Sequence, residues 1–225
     1  MILHIPHSST NIPIGDIPNL NQLNLMTDWY TDELFSHDSA DRLVFQYSRF
    51  YCDIERLIDD PLDQKGLGVF YTHDYDGNEY RKLDKEMLEV VLKDYYDWHK
   101  KLRQYASNAL SYIPNVVVVD CHSFHSPDSE VDICIGVNDS NTPKELVDMV
   151  KCYFEKFGYC VKINDPYEGA IIPFDDKHLF SIMIELNKRL YLNDVYQKNE
   201  NFKLLKSQIS ECLDLIHDFE INYKS

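Results

Sequence analysis

Short runs of β-branched and aromatic residues alternate along the chain with longer stretches in which apolar positions recur every three or four residues. Met1 to Ile5, Arg42 to Cys52, Asn115 to Val119, Val131 to Val137, Tyr159 to Ile163 and Ser181 to Leu186 have the length and composition of strands. Helical spacing runs from about Leu83 to Tyr112, through Met87, Val91, Tyr95, Trp98, Leu102 and Tyr105. Two further helices are predicted over Pro143 to Phe157, with the proline in the first turn, and over Phe202 to Phe219. Strands that alternate with helices predict an α/β fold with helices on both faces of a mainly parallel sheet. The unbroken run Val116-Val117-Val118-Val119 fits a central strand covered on both sides.

Residues 53 to 81 follow neither period and contain Pro61, Gly66, Gly68 and Gly77. A segment of that length inside one domain is expected to be a functional loop over the site. No repeat, low-complexity tract or linker interrupts the chain, so residues 1–225 are expected to form a single domain.

Certain polar residues fall where the strands end. His7 follows the first, Asp53-Ile54-Glu55-Arg56 the second and Asp120-Cys121-His122-Ser123 the valine run, while Glu185 sits near the end of an apolar strand. In an open parallel sheet the carboxyl ends of the strands share one edge, and ligands bind there. Two imidazoles and one carboxylate form a common protein ligand set for catalytic zinc, and a further carboxylate can serve a metal hydrolase as general base. His7, Glu55 and His122 are the expected ligands and Glu185 the expected base. Asp53 and Asp120 lie two residues from Glu55 and His122, on the same strand face, where either could accept the second ring N–H of a ligating histidine. Asp53 is also an alternative carboxylate ligand.

Each element has a plainer reading beside it. An Asp-x-Glu-Arg run is commonly a surface salt-bridge pattern, and a lone histidine after a strand is commonly a loop residue. Charge directly after four valines is harder to dismiss, because it costs several kcal/mol unless it is paired or coordinated.

Composition narrows the partners. A net charge of −16 repels phosphate backbones and anionic membranes, so neither nucleic acid nor membrane is expected. An anionic small-molecule substrate would need a local cluster of cations to outweigh that field. Six scattered cysteines without a Cys-x-x-Cys pair, and a start lacking a basic, apolar leader, lead to the expectation of a cytoplasmic protein without disulfides.

At these same residues the sequence resembles the N-formylglutamate amidohydrolase family. The likeness runs in order through His4-Ile5-Pro6-His7-Ser8-Ser9, Asp53-Ile54-Glu55-Arg56, Gly66-Leu67-Gly68, Asp120-Cys121-His122-Ser123-Phe124, Asp132-Ile133-Cys134-Ile135-Gly136, Asn164-Asp165-Pro166-Tyr167 and Ile184-Glu185-Leu186-Asn187-Lys188-Arg189. That family is similar to the zinc carboxypeptidases and aspartoacylase, which implies a three-layer α/β/α sandwich around a mixed, mainly parallel sheet. By the resemblance, His7, Glu55 and His122 match metal-binding positions, one Zn2+ is the implied cofactor, and Glu185 matches the catalytic glutamate. The implied reaction is metal-assisted attack of water on the formyl amide of an acidic amino acid.

A substrate with two carboxylates calls for planar bidentate donors. Arg56, Arg81 and Arg189 are the expected cations, joined by Asn187, Ser123, Asn164 and Tyr167 as substrate contacts. The sequence departs from the family pattern at Ser9, at Ala170, where glycines are expected, and at Lys188, where arginine is frequent. Two other readings stand beside this one: a metallo-amidase or carboxypeptidase for another N-acyl amino acid or small peptide, and a non-catalytic binder of acidic amino acids on the same fold.

Overall fold

The computed structural model describes residues 1–82 and 84–224. Six strands form one sheet in the order β2-β1-β3-β6-β4-β5, with β1 at Ile2–Ile5, β2 at Asp41–Val44, β3 at Val116–Phe124, β4 at Ile133–Gly136, β5 at Val161–Ile163 and β6 at Leu179–Asn187. The pairs β1/β2, β1/β3, β3/β6 and β4/β5 are parallel, whereas β4 runs antiparallel to β6. The sheet is therefore mixed, and β4 and β5 point their carboxyl ends away from the edge that β1, β3 and β6 share.

Side-chain alternation divides the core into two layers. Leu3, Ile5, Val117, Val119, Ile182 and Ile184 face one side, where α2 (Thr31–Leu34), α4 (Lys144–Glu155) and α5 (Phe202–Asn222) cover them. Ile2, Val116, Val118 and Leu179 face the other side and meet α3 (Lys85–Leu110) through Val91, Trp98 and Leu102. The result is the expected α/β/α sandwich, with β3 and β6 buried along their whole length. The same alternation puts His4, Asp120, His122 and Glu185 on the α3 face, because each lies an even number of residues from an apolar position pointing that way.

Helix α3 is capped by Asp84, whose side chain accepts from the Met87 N–H. Its expected first residue, Leu83, lies outside the described residues. The strand expected over Arg42 to Cys52 is much shorter than predicted. After Val44 the chain turns at Ser48, whose carbonyl accepts from the N–H groups of Tyr51 and Cys52, so no ladder continues. Phe50, Tyr51 and Cys52 are buried all the same, which is why their apolar run resembles a strand. A short helix absent from the sequence prediction, α1 (Leu20–Met26), leads to Asp28.

The segment from Asp53 to Arg81 is ordered by local pairing. A 3-10 turn spans Pro61–Lys65, isolated bridges join Leu67 to Tyr71 and His73 to Glu79, and Asp74 accepts from the backbone of Asp76 and Asn78. No helix among the described residues is long and apolar enough to cross a membrane.

Candidate active site

A cavity of about 540 Å³ opens where β1, β3 and β6 end. Its floor comes from the sheet. His122 on β3 lies opposite Glu185 on β6 in the parallel register, so that register sets the two side by side on the α3 face. His7, just past β1, brings its ring centroid within 5.2 Å of that of His122. Asp28 arrives from the turn after α1, held through a backbone bond from its N–H to the His7 carbonyl at 2.9 Å.

Each imidazole is oriented by a buried carboxylate. Nε2 of His7 lies 2.9 Å from Asp53 Oδ1, and Nε2 of His122 lies 2.9 Å from Asp120 Oδ1. A carboxylate only accepts, so both Nε2 atoms carry hydrogen and both Nδ1 atoms are left for the site. Those two nitrogens converge on Asp28, whose Oδ2 stands 3.2 Å from Nδ1 of His122 and 3.8 Å from Nδ1 of His7. His7, Asp28 and His122 each offer one ligating atom within 4.8 Å of the others, all three buried. Two neutral-capable imidazoles and one carboxylate, with second nitrogens already engaged, match the donor set a divalent cation requires.

Electrostatics follow from burial and from the paired charges. Burial and the Arg49 guanidinium lower the His7 pKa to about 4, against the pull of Asp53. Burial also opposes charge on His122, yet Asp120 and Asp28 outweigh it and hold that ring well above the usual histidine range. Asp28 is pushed up by burial but brought down to about 2 by His122, Arg49 and Lys188. Glu185 is raised to about 7, first by burial and then by Asp28, and its Oε2 has no hydrogen-bond partner.

The three expected ligands do not form one group. His7 and His122 meet, but Glu55 stands on the far side of His122. Its Oε1 is 3.2 Å from His4 Nδ1 and its Oε2 3.8 Å from His122 Nε2, the nitrogen already bound to Asp120. The carboxylate that faces both Nδ1 atoms is Asp28. Asp53, the alternative ligand, is committed to His7 Nε2, the Tyr71 hydroxyl and the Glu55 N–H, and Asp120 to His122, His4 and the Ile171 N–H. Each aspartate thus engages one ring nitrogen of one histidine, Asp53 that of His7 and Asp120 that of His122.

Among the expected substrate contacts, Arg56, Ser123 and Tyr167 line the cavity. The others do not, and each has a structural occupation. Arg81 is buried, donates to the carbonyls of Tyr71 and Phe50 and stacks on Phe70. Arg189 pairs with Asp132 at 2.8 Å, outside the cavity. Asn187 donates to the carbonyls of Ser126 and Val131 and caps the turn at Arg189. Asn164 adopts φ 51° and accepts from the Val137 and Gly169 N–H groups, shaping a turn.

The cations that face the cavity are Arg49, Arg56 and Lys188. Arg49 donates from Nη2 to His7 Nδ1 and is flanked by the charges of Asp53 and Asp28. Lys188 is buried, donates to the Leu25 carbonyl at 2.6 Å and lies 3.8 Å from Asp28 Oδ1, and burial lowers its pKa to about 8. The sequence signal for Arg49 is a lone charge inside an otherwise apolar, aromatic run, and for Lys188 a charge directly after a buried strand. Asp28 carries no such signal, since Asp-Trp-Tyr after a polar helix is unremarkable composition.

Comparison with known proteins gives the arrangement a family. A family model for N-formylglutamate amidohydrolase matches residues 1–192. The crystal structure of N-formylglutamate amidohydrolase from Ralstonia eutropha JMP134 superposes with a TM-score of 0.85 at 22% identity, covering 97% of this chain and 92% of that one. The gene product Atu2144 from Agrobacterium tumefaciens superposes with a TM-score of 0.65 at 20% identity, covering 96% and 91%. No curated protein matches the chain. The structural likenesses establish the fold, and the match over residues 1–192 establishes the lineage: the chain belongs to the N-formylglutamate amidohydrolase family.

Proposed function

We propose that the chain hydrolyses the formyl amide of N-formyl-L-glutamate, giving formate and L-glutamate, with one zinc ion held by His7, Asp28 and His122. The observation that carries this reading is the convergence of two Nδ1 atoms and one carboxylate within 4.8 Å, beside a buried Glu185 whose Oε2 has no partner. When bound, the ion supplies Lewis acidity, polarising the amide carbonyl and making water easier to deprotonate.

The remaining work falls to the chain. Glu185 accepts the proton of the attacking water and returns it to the departing nitrogen as the carbonyl carbon gains oxygen and the C–N bond breaks. General acid–base help of this kind is worth about 10²- to 10⁴-fold. Burial suits Glu185 to both halves of that transfer, because a carboxyl group near pKa 7 gives and takes a proton at neutral pH. Asp53 and Asp120 keep the two imidazoles in the Nε2–H tautomer.

Arg49, Arg56 and Lys188 provide the local positive charge that a dianionic substrate needs in a chain of net charge −16. Arg49, which donates to His7 Nδ1, yields that nitrogen to the ion and keeps its charge inside the cavity for the substrate. Arg56 is tethered by Asp53 at 3.7 Å and remains about a quarter exposed, so its guanidinium can still meet a carboxylate.

The test is formate release from N-formyl-L-glutamate by protein purified without added metal, before and after chelation and again after zinc is restored. The reading predicts activity that is lost to the chelator and recovered with zinc. Absence of formate from zinc-loaded protein would overturn the substrate, and activity indifferent to chelation would overturn the metal.

A further inference from the structure

His4 lies on β1 beneath the site and does not line the catalytic cavity. Its Nε2 accepts a hydrogen bond from the Trp98 indole N–H at 3.0 Å. A ring nitrogen that accepts carries no hydrogen, so the His4 hydrogen sits on Nδ1, 2.9 Å from Asp120 Oδ1. The same oxygen accepts from Nε2 of His122 at 2.9 Å. Trp98, His4, Asp120 and His122 thus form one polar chain from α3 to the site. Every member is buried, with 7%, 0%, 1% and 4% exposure respectively, so water does not compete for these bonds.

The fold fixes this chain independently of any ligand. His4 and Asp120 are direct partners in the β1/β3 register and face the same side of the sheet. Asp120 Oδ2 accepts separately from the Ile171 N–H at 3.0 Å, which leaves Oδ1 as the oxygen shared by the two histidines. An indole can only donate and a carboxylate only accepts, so Trp98 and Asp120 set the same His4 tautomer from opposite sides, with Glu55 Oε1 a second acceptor 3.2 Å from His4 Nδ1.

We propose that Trp98 and His4 are positioning residues, which act through Asp120 to lock His122 in the tautomer that leaves Nδ1 facing Asp28. Trp98 supplies the first donor, His4 transmits the polarity, and Asp120 is left with lone pairs for His122. Without the indole N–H, His4 could carry its hydrogen on Nε2 and present a bare Nδ1 to Asp120, two acceptors face to face. The carboxylate would then shift, and His122 would lose its fixed orientation. The functional weight of the inference rests on His122 as an ion ligand, but the ring tautomers can be read without activity.

The plainer reading is that Trp98 is only a core aromatic, edge-on to Phe45 with centroids 5.1 Å apart. Trp98→Phe separates the two, since it keeps an aromatic ring and deletes the N–H. The experiment combines imidazole 15N–1H correlation spectra with zinc affinity from chelator competition, on zinc-loaded wild type, Trp98→Phe, His4→Leu and His4→Asn. In wild type His4 should show hydrogen on Nδ1, and in Trp98→Phe that pattern should change.

Zinc affinity should fall measurably in Trp98→Phe and His4→Leu, by up to the roughly 10- to 100-fold that follows loss of a group bonded directly to a metal ligand, as Asp120 is to His122. His4→Asn, whose amide N–H stands near the original Nδ1 position, should recover most of it. Thermal unfolding of each variant guards against a fold defect. Unchanged His4 and His122 ring signals in Trp98→Phe, with zinc affinity within about twofold of wild type, would overturn the proposal. So would affinity losses that track loss of stability and are not rescued by His4→Asn.

Discussion

Asp28 Oδ2 stands 3.2 Å from Nδ1 of His122, while the other ring nitrogen of His122 is engaged by Asp120. One imidazole is thereby gripped from both ends, by a carboxylate that orients it and by one that shares its ligand face. Asp28→Asn should leave the fold intact, because the backbone N–H and carbonyl of Asp28 make the bonds to His7 and Thr31. It should lower zinc affinity by more than Glu55→Gln does, since the proposed charged ligand is lost. Glu55→Gln, on the far side of His122, should keep zinc. Chelator competition on the two variants decides which acid is the ligand; retention by Asp28→Asn and loss by Glu55→Gln would reverse the assignment.

Glu185→Gln removes the proposed base and leaves the proposed ligands in place. Turnover of N-formyl-L-glutamate should drop by about 10²- to 10⁴-fold with zinc stoichiometry unchanged. A variant that keeps most of its activity would assign proton transfer to another group.

Zinc affinity should depend steeply on pH through neutrality. In metal-free protein His122 is held well above the usual histidine range, so its Nδ1 keeps a proton that the ion has to displace. Below that raised pKa, affinity falls about tenfold for each unit of pH lost, so zinc binds more tightly at about pH 8 than at about pH 6. A histidine with an ordinary pKa would instead level off above about pH 7. Affinity that is flat from neutrality upward would contradict the paired-carboxylate account of His122.

The arginines should separate by role. Arg189→Ala breaks a partly exposed pair with Asp132, which is worth less than about 1 kcal/mol, and should leave the KM unchanged. Arg81→Ala strips hydrogen bonds from two buried carbonyls and a cation from the Phe70 ring, and should cost about 2–4 kcal/mol of stability. Arg49→Met should raise the KM for N-formyl-L-glutamate by about tenfold or more, because a cavity-lining cation proposed to meet a substrate carboxylate is lost. Steady-state kinetics alongside thermal unfolding would expose any exchange of these roles.

The sheet and the parity of its residues were legible in the sequence because period-2 alternation carries on past the valines. Asp120 and His122 inherit the face of Val116 and Val118, and Glu185 inherits that of Leu179. Parity cannot say which acid meets which base, and that choice turned on chain segments with no period. Asp28 reaches the site from a turn after a short helix, where nothing in composition marks it. Arg49 was hidden in an aromatic run whose burial comes from a turn rather than a strand. Arg81, Arg189, Asn187 and Asn164 fell to a common cause: backbone carbonyls, a nearby aspartate and tight turns claimed their polar groups first. Single residues near a site motif do not reveal such competition, because it depends on backbone the motif does not contain.

The most direct test of the account is anomalous diffraction at the zinc edge from crystals of the zinc-loaded protein. The account predicts one peak at roughly 2.0–2.2 Å from Nδ1 of His7, Nδ1 of His122 and the carboxylate of Asp28. A peak seated instead among His4, Glu55 and Asp120, or no peak near His7 and His122, would contradict it.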